Sequence, residues 1–174
     1  DSYRIGLELD AHWQIVKNFS WAATATLSQN KIKNFTEYIY DNAAGFPEQT
    51  INYRNTTIAY SPSLIASNEF SYSLNGFGMG LISKYVGKQY LDNTAANSRS
   101  LAAFFVNDLR FTYNTPLLGI KNVGLNFFVN NIFNLKYEAN GYTFPDMNSG
   151  AIDRYNYYYP QATRNFLLSL NLKF

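Results

Sequence analysis

The strict two-residue alternation at the start of the chain constrains its fold more than any other feature. Tyr3, Ile5, Leu7, Leu9, Ala11, Trp13 and Ile15 share one face, and Arg4, Gly6, Glu8, Asp10, His12 and Gln14 share the other. Successive side chains of an extended strand point to opposite faces, so this pattern describes a long strand with one apolar and one wet face. The pattern recurs. After a Lys17-Asn18 turn, residues 19 to 36 set Phe19, Trp21, Ala23, Ala25 and Leu27 against Ser20, Ala22, Thr24, Thr26 and Ser28. A third strand is expected over 63 to 74, closed by the tight reversal Asn75-Gly76. A fourth covers 79 to 91, with its phase undefined because Met79, Leu81 and Tyr85 compete with Ile82, Val86 and Tyr90. The fifth, sixth and seventh are expected over 100 to 114, 121 to 131 and 164 to 174. Residues 37 to 55 and roughly 138 to 163 read as long loops rich in Tyr and turn formers. All five prolines fall in these loops or at strand margins, where no ladder donor is lost.

The apolar face can be the core of a soluble sandwich or the lipid-facing wall of a membrane barrel. Soluble strands average five to six residues, whereas about nine to eleven tilted residues cross a bilayer, and the segments above have the longer span. In order, the connections run short, long, short, medium, short, long, which places short turns at one rim and long loops at the other, as in outer-membrane barrels. Aromatics gather at two depths: Trp13, Phe19, Trp21, Tyr72, Tyr113 and Phe174 near the short turns, and Tyr38, Tyr40, Tyr90, Tyr137 and Tyr142 toward the long loops. Such rings suit the two interfaces of a bilayer.

Composition agrees. Aromatic residues are 18% of the chain, while charged residues are 15%, against about a quarter in soluble domains. A net charge of +2 without a basic cluster argues against nucleic acid as a partner. No Cys is present, so disulfides and thiolate chemistry are excluded. No apolar run is long enough for a spanning helix. The expected fold class is therefore all-β, a transmembrane antiparallel β-barrel. Single-chain bacterial barrels have an even number of strands and no open edge in hydrocarbon, so seven strands imply further chain before Asp1.

Three motifs carry a family resemblance. The stretch Phe128-Val129-Asn130-Asn131-Ile132-Phe133-Asn134-Leu135-Lys136-Tyr137-Glu138 with Asn140-Gly141-Tyr142 closely resembles the penultimate-strand motif of TonB-dependent outer-membrane receptors. The stretch from Tyr85 to Thr94 and the terminal Tyr159-Pro160-Gln161-Ala162-Thr163-Arg164-Asn165-Phe166 resemble the forms seen in Bacteroidetes members. The resemblance implies the last seven strands of a barrel of about 22 strands, so that residues 1–174 form the C-terminal portion of the barrel domain and the plug domain lies outside this chain. It further implies a bacterial cell outer membrane location and active import of a scarce, bulky nutrient, an iron–siderophore complex first, with cobalamin or a glycan as alternatives. The implied partners are the preceding barrel strands, the plug, the TonB complex, outer-membrane lipid and the barrel-assembly machinery, which would read Phe174 as its signal. A structural or adhesive surface barrel without transport is the competing class. The Asn-rich motif itself is expected to bond turn and strand backbone.

No catalytic set stands out, and no enzyme or cofactor is expected. His12 shares a face with Glu8 and Asp10, yet alternate strand side chains sit about 7 Å apart, too far to share one tetrahedral ion, so no metal site is expected. The loop from 138 to 163 carries the candidate ligand contacts, Arg154, Tyr155 and Tyr157: the guanidinium offers a fork of donors to anionic oxygens, and the tyrosines offer broad contact area at low ordering cost. With lipid-facing strands, the purified chain is expected to need detergent to stay dispersed. A chain that remains monodisperse in buffer alone, by light scattering, would support the sandwich instead.

Overall fold

The computed structural model describes residues 1–43, 45, 47–117 and 119–174. Twelve strands are present among them: β1 (Ser2–Val16), β2 (Phe19–Ile39), β3 (Gln49–Thr57), β4 (Leu64–Leu74), β5 (Phe77–Val86), β6 (Gln89–Tyr90), β7 (Ser100–Leu101), β8 (Phe104–Leu117), β9 (Ile120–Asn130), β10 (Glu138–Asn148), β11 (Ala151–Pro160) and β12 (Asn165–Lys173). Seven of them form one antiparallel path in the order β1-β2-β4-β5-β8-β9-β12, with β3 paired to the upper half of β2. The seven expected spans are these seven strands. The path is not closed: β1 and β12 each have one neighbour, so the sheet is an arc of barrel wall.

Register fixes which face meets lipid. Leu9, Ala25 and Ala66 lie in line across β1, β2 and β4, and Leu81 joins Phe70 to Leu109 across β4, β5 and β8. The outward rows on the later strands include Phe111, Phe127 and Leu168. The opposite face is polar. Thr24 Oγ1 and Ser67 Oγ hydrogen-bond at 2.7 Å, and Arg110 Nη2 donates to Glu69 Oε1 at 2.8 Å. The undefined phase of the fourth span is settled by these partners: Phe77, Met79, Leu81 and Tyr85 face outward, and Ile82 and Val86 face the lumen. Val86 is apolar there because Leu135, Tyr137 and Ala139 cover it, together with Phe104 and Val106.

The outward face carries a polar row, Asn68, Ser83 and Asn107, in register across β4, β5 and β8. An unpaired polar group in hydrocarbon costs free energy. The side-chain oxygens are paired, since Trp21 Nε1 donates to Asn68 Oδ1 and Ser83 Oγ donates to Asn107 Oδ1 at 2.7 Å, while Asn107 Nδ2 has no partner among the described residues.

The turns at the inner rim are tight. Asn75 and Gly76 both have positive φ, 48° and 81°, the conformation of a type I′ hairpin turn and the reason for glycine at the second position. The two long loops expected outside the membrane are instead built from strands. β2 runs on to Ile39 and pairs with β3, held by Tyr53 Oη donating to Glu37 and by Thr36 Oγ1 donating to Asn52. β10 and β11 form a hairpin closed by Ser149-Gly150, both with positive φ, another type I′ turn. Mixed polar and aromatic residues hid these ribbons, because a strand above the membrane has no lipid face to impose a clean alternation.

The buried apolar residues gather toward the outer rim: Val86, Phe104 and Val106 on β5 and β8, and Ile39, Leu91, Leu101 and Met147 where the loops and ribbons pack on one another. If Trp21 satisfies Asn68 within the bilayer, Trp21→Phe will destabilise the barrel by about 1 kcal/mol, and adding Asn68→Leu will restore most of it, as read by equilibrium unfolding in lipid.

Candidate functional site

The β10–β11 hairpin holds the residues of interest, and its alternation separates them. On one face lie Gly141, Thr143, Pro145, Met147, Ile152, Arg154 and Asn156; on the other lie Asn140, Tyr142, Phe144, Asp146, Asp153, Tyr155, Tyr157 and Tyr159. The first face is the docked one. Met147 is fully buried, Asp41 forms a parallel bridge to it, and Tyr60 Oη donates to the Gly141 carbonyl at 2.6 Å. A Cβ on Gly141 would stand 2.5 Å from the Tyr157 carbonyl and 3.2 Å from Leu91, so this close approach requires glycine.

Arg154 is the hinge of the docking. Its Nη1 and Nη2 donate to the two carboxylate oxygens of Glu37 at 2.7 and 2.8 Å, a bidentate pair between β11 and β2. Tyr53 Oη donates to the same carboxylate at 2.9 Å. Arg99 stands 3.6 Å from Glu37 and 2.8 Å from Asp92. Two cations therefore meet two carboxylates in a largely buried cluster, which is electrically balanced. Burial alone would raise the Glu37 carboxyl, but the hydrogen bonds from Arg154 and Tyr53, with the charges of Arg154 and Arg99, outweigh it and hold the group below its ordinary value. At the hairpin tip Asp41 accepts hydrogen bonds from the Ser149 and Gly150 amides at 3.0 and 2.7 Å.

The open face is a row of stacked rings. Tyr142 and Tyr157 lie 5.0 Å apart between centroids, Phe144 and Tyr155 5.7 Å, and Phe144 and Tyr157 6.0 Å. Tyr142 and Tyr159 extend the row at 6.1 Å. All five rings are exposed. No Lys or Arg shares this face, while Asp146 and Asp153 oppose each other at its end.

The root of the hairpin lies against lumen-facing side chains. Tyr137 packs at a tilt on Phe104, 4.4 Å between ring centres, and Leu135 and Ala139 pack with it on Val86 and Val106, which share the lumen face with Lys84 and Asp108. The hairpin therefore rises from inside the wall. Tyr137, expected in the outer aromatic girdle, belongs to this internal layer, and Tyr142 stands on the open face of the hairpin. The Asn-rich motif serves that root as expected: Asn131 Nδ2 donates to the Leu135 carbonyl at 2.7 Å, its Oδ1 accepts from the Leu135 amide at 2.9 Å, and Asn134 Oδ1 accepts from the Arg164 amide at 3.0 Å.

Of the three candidate contacts, Tyr155 and Tyr157 thus share the open face, and Arg154 lies on the docked face against Glu37. Sequence reasoning missed Glu37, Asp92 and Arg99, since Glu37, on which they converge, meets Arg99 and Arg154 from far along the chain and nothing local marks such partners. It also missed Tyr142 and Phe144, whose signal was present: they alternate ahead of Ser149-Gly150 as the tyrosines do after it. Phe174 lies beyond β12, exposed and in phase with outward Leu168, Leu170 and Leu172.

Removing one partner of a buried ion pair leaves the other uncompensated and costs about 3 kcal/mol. Glu37→Ala should therefore raise hydrogen exchange in residues 142–147 roughly a hundredfold and leave β8 and β9 unaffected. Because the Glu37 carboxyl is held low in the folded state, its stabilisation is complete above the ordinary value of 4.5 and is lost as pH falls through the lowered one. A spin-label distance between Thr50 and Ser149 should stay constant from neutral pH down to about 5 and widen only in stronger acid, while Glu37→Gln should show the wide distance throughout.

Comparison with known proteins accounts for this architecture. Residues 2–132 match the family model described as TonB dependent receptor-like, beta-barrel. Among solved structures, the siderophore receptor PiuA from Acinetobacter baumannii superposes with a TM-score of 0.73 at 19% identity, over 99% of this chain and 22% of that one. The copper transporter OprC gives 0.64 at 18% identity, over 99% and 24% of the two chains. The closed form of the ferric-catecholate import receptor Fiu from E. coli K12 gives 0.50 at 18%, over 96% and 27%. The chain thus spans about a quarter or less of the length of the first two. No curated protein sequence matches it. A family match over most of the chain, an open arc of lipid-facing strands and polar lumen rows lead to one conclusion: the chain belongs to the TonB-dependent receptor β-barrel family of the bacterial outer membrane.

Proposed function

We propose that this chain forms the C-terminal part of the barrel of an outer-membrane importer driven through the TonB complex, and that the β10–β11 hairpin contributes to capture of its substrate. The observation that carries the reading is the row of five exposed rings on the open face of the β10–β11 hairpin. Loops positioned on a rigid wall are where binding residues concentrate. Tyr155 and Tyr157 contact the substrate, with Tyr142 and Phe144 extending the platform, and Arg154 acts by holding the hairpin to Glu37, becoming a ligand contact only where the substrate displaces that carboxylate. In this reading the neighbouring strands on both sides of the arc, an internal plug and the assembly machinery acting on Phe174 are the partners, and the edges of β1 and β12 are where the remaining wall pairs.

An iron–siderophore complex remains the first candidate substrate, supported by the functions named for two of the structural neighbours. The open face favours a second reading. Its charges are Asp146 and Asp153 alone, so a neutral ring-bearing solute such as cobalamin or a glycan meets less repulsion there than an anionic chelate. Deletion of the intact gene followed by uptake assays with iron chelates, cobalamin and oligosaccharides separates the readings, and unchanged uptake of every solute would leave a structural or adhesive barrel. Stacking is worth about 1 kcal/mol per ring, so Tyr155→Ala with Tyr157→Ala in the intact receptor should weaken binding roughly thirtyfold at normal barrel abundance. Arg154→Ala should weaken it only as far as hairpin protection is lost.

A further inference from the structure

The open face of the hairpin is a ladder of cross-strand pairs with two unlike ends. Asn140 faces Tyr159 at the root, Tyr142 faces Tyr157, Phe144 faces Tyr155, and Asp146 faces Asp153 near the tip. Successive rungs on one face of a ribbon stand about 7 Å apart, so the carboxylate rung lies one step beyond Phe144 and Tyr155, and the ladder runs roughly 20 Å from there to Tyr159. The planes of Tyr142, Phe144 and Tyr157 differ by no more than 14°, which gives the middle of the ladder a common flat aspect.

The charge on this ladder has one sign. Two carboxylates placed directly opposite each other repel, and among the described residues no Lys or Arg lies within ion-pair distance of either. Asp146 Oδ1 accepts a hydrogen bond from Asn42 Nδ2 at 2.5 Å, which satisfies one oxygen and leaves the charge uncancelled. Asp41, the third carboxylate at the tip, is taken up by the amides of Ala43, Ser149 and Gly150. The rings add to the same field, because an aromatic face carries negative potential and attracts a cation within about 6 Å of the ring centre. A cation between the Asp146–Asp153 rung and the Phe144–Tyr155 rung is therefore attracted by both. Among the described residues no three acidic or imidazole side chains converge as metal ligands, and the rungs beyond offer apolar area, so the ladder suits an organic cation with a flat body better than a bare ion. The cationic group need only be one arm of a larger solute, a chelate included.

On the reading that this hairpin captures the substrate, we propose that its open face selects a ring-bearing organic cation, with the charge held between Asp146, Asp153, Phe144 and Tyr155 and the flat body laid along Tyr142, Tyr157 and Tyr159. The test uses the full-length receptor in neutral detergent with three water-soluble probes: benzyltrimethylammonium as the cation, N-benzylacetamide as the neutral comparison and phenylmethanesulfonate as the anion. Binding is read by saturation-transfer NMR against empty micelles. The cation should bind roughly tenfold tighter than the neutral probe, the anion should bind least, and the preference should shrink at high salt. Asp146→Asn with Asp153→Asn should weaken the cation by about that factor and leave the neutral probe unchanged, with hydrogen exchange in residues 142–147 unaltered. Tyr155→Ala with Tyr157→Ala should weaken both. Equal binding of the cation and the neutral probe by the wild type, or undiminished cation binding by the asparagine variant, overturns the proposal and leaves the aromatic platform in place. Failure of every probe to bind above the micelle baseline removes the platform itself, and the cation site with it.

Discussion

The hydrogen-bonded ladder between neighbouring strands is the interaction on which the rest depends. Within hydrocarbon no water competes for backbone N–H and C=O groups, so each must find a partner in the next strand. That requirement makes every spanning segment antiparallel and long, and it turns the wall inside out relative to a soluble sheet, with apolar side chains outward and polar rows such as Thr24, Ser67, Glu69 and Arg110 inward. It also explains the outward polar row, where Asn68 and Ser83 each engage a side chain across a strand boundary.

Above the membrane the same ladder serves a different end. β2 continues beyond the wall and recruits β3, and the chain between β9 and β12 folds into its own hairpin, so the outer rim is built from ribbons. Water is available there, and the ribbons are held by a small dry core and by the Glu37, Arg154, Arg99 and Asp92 cluster. An ion pair of this kind confers position more than stability, because desolvation offsets much of the attraction. Its consequence is geometric: the docked face of the hairpin is consumed, and the aromatic face is left open.

Alternation along the hairpin separates what holds it from what it offers. The rings from Tyr142 to Tyr159 form an uncharged surface bounded by the carboxylates of Asp146 and Asp153, while Met147 and Arg154 are spent on docking.

The sequence by itself determined the seven spans, their direction and the identity of the lipid face, because lipid imposes a period of two that Leu7, Leu9, Phe111 or Leu168 cannot evade. It also determined the inner-rim turn at Asn75-Gly76, a local matter of positive φ. Where the period was absent, sequence reading ran out. Both outer ribbons passed as loops, and Val86 confused the phase of β5 because its cover, Leu135 and Tyr137, comes some fifty residues later. Tertiary structure alone decided that Arg154 turns from Tyr157 toward Glu37, since the choice depends on a carboxylate 117 positions away in the chain, brought near by the path of the sheet.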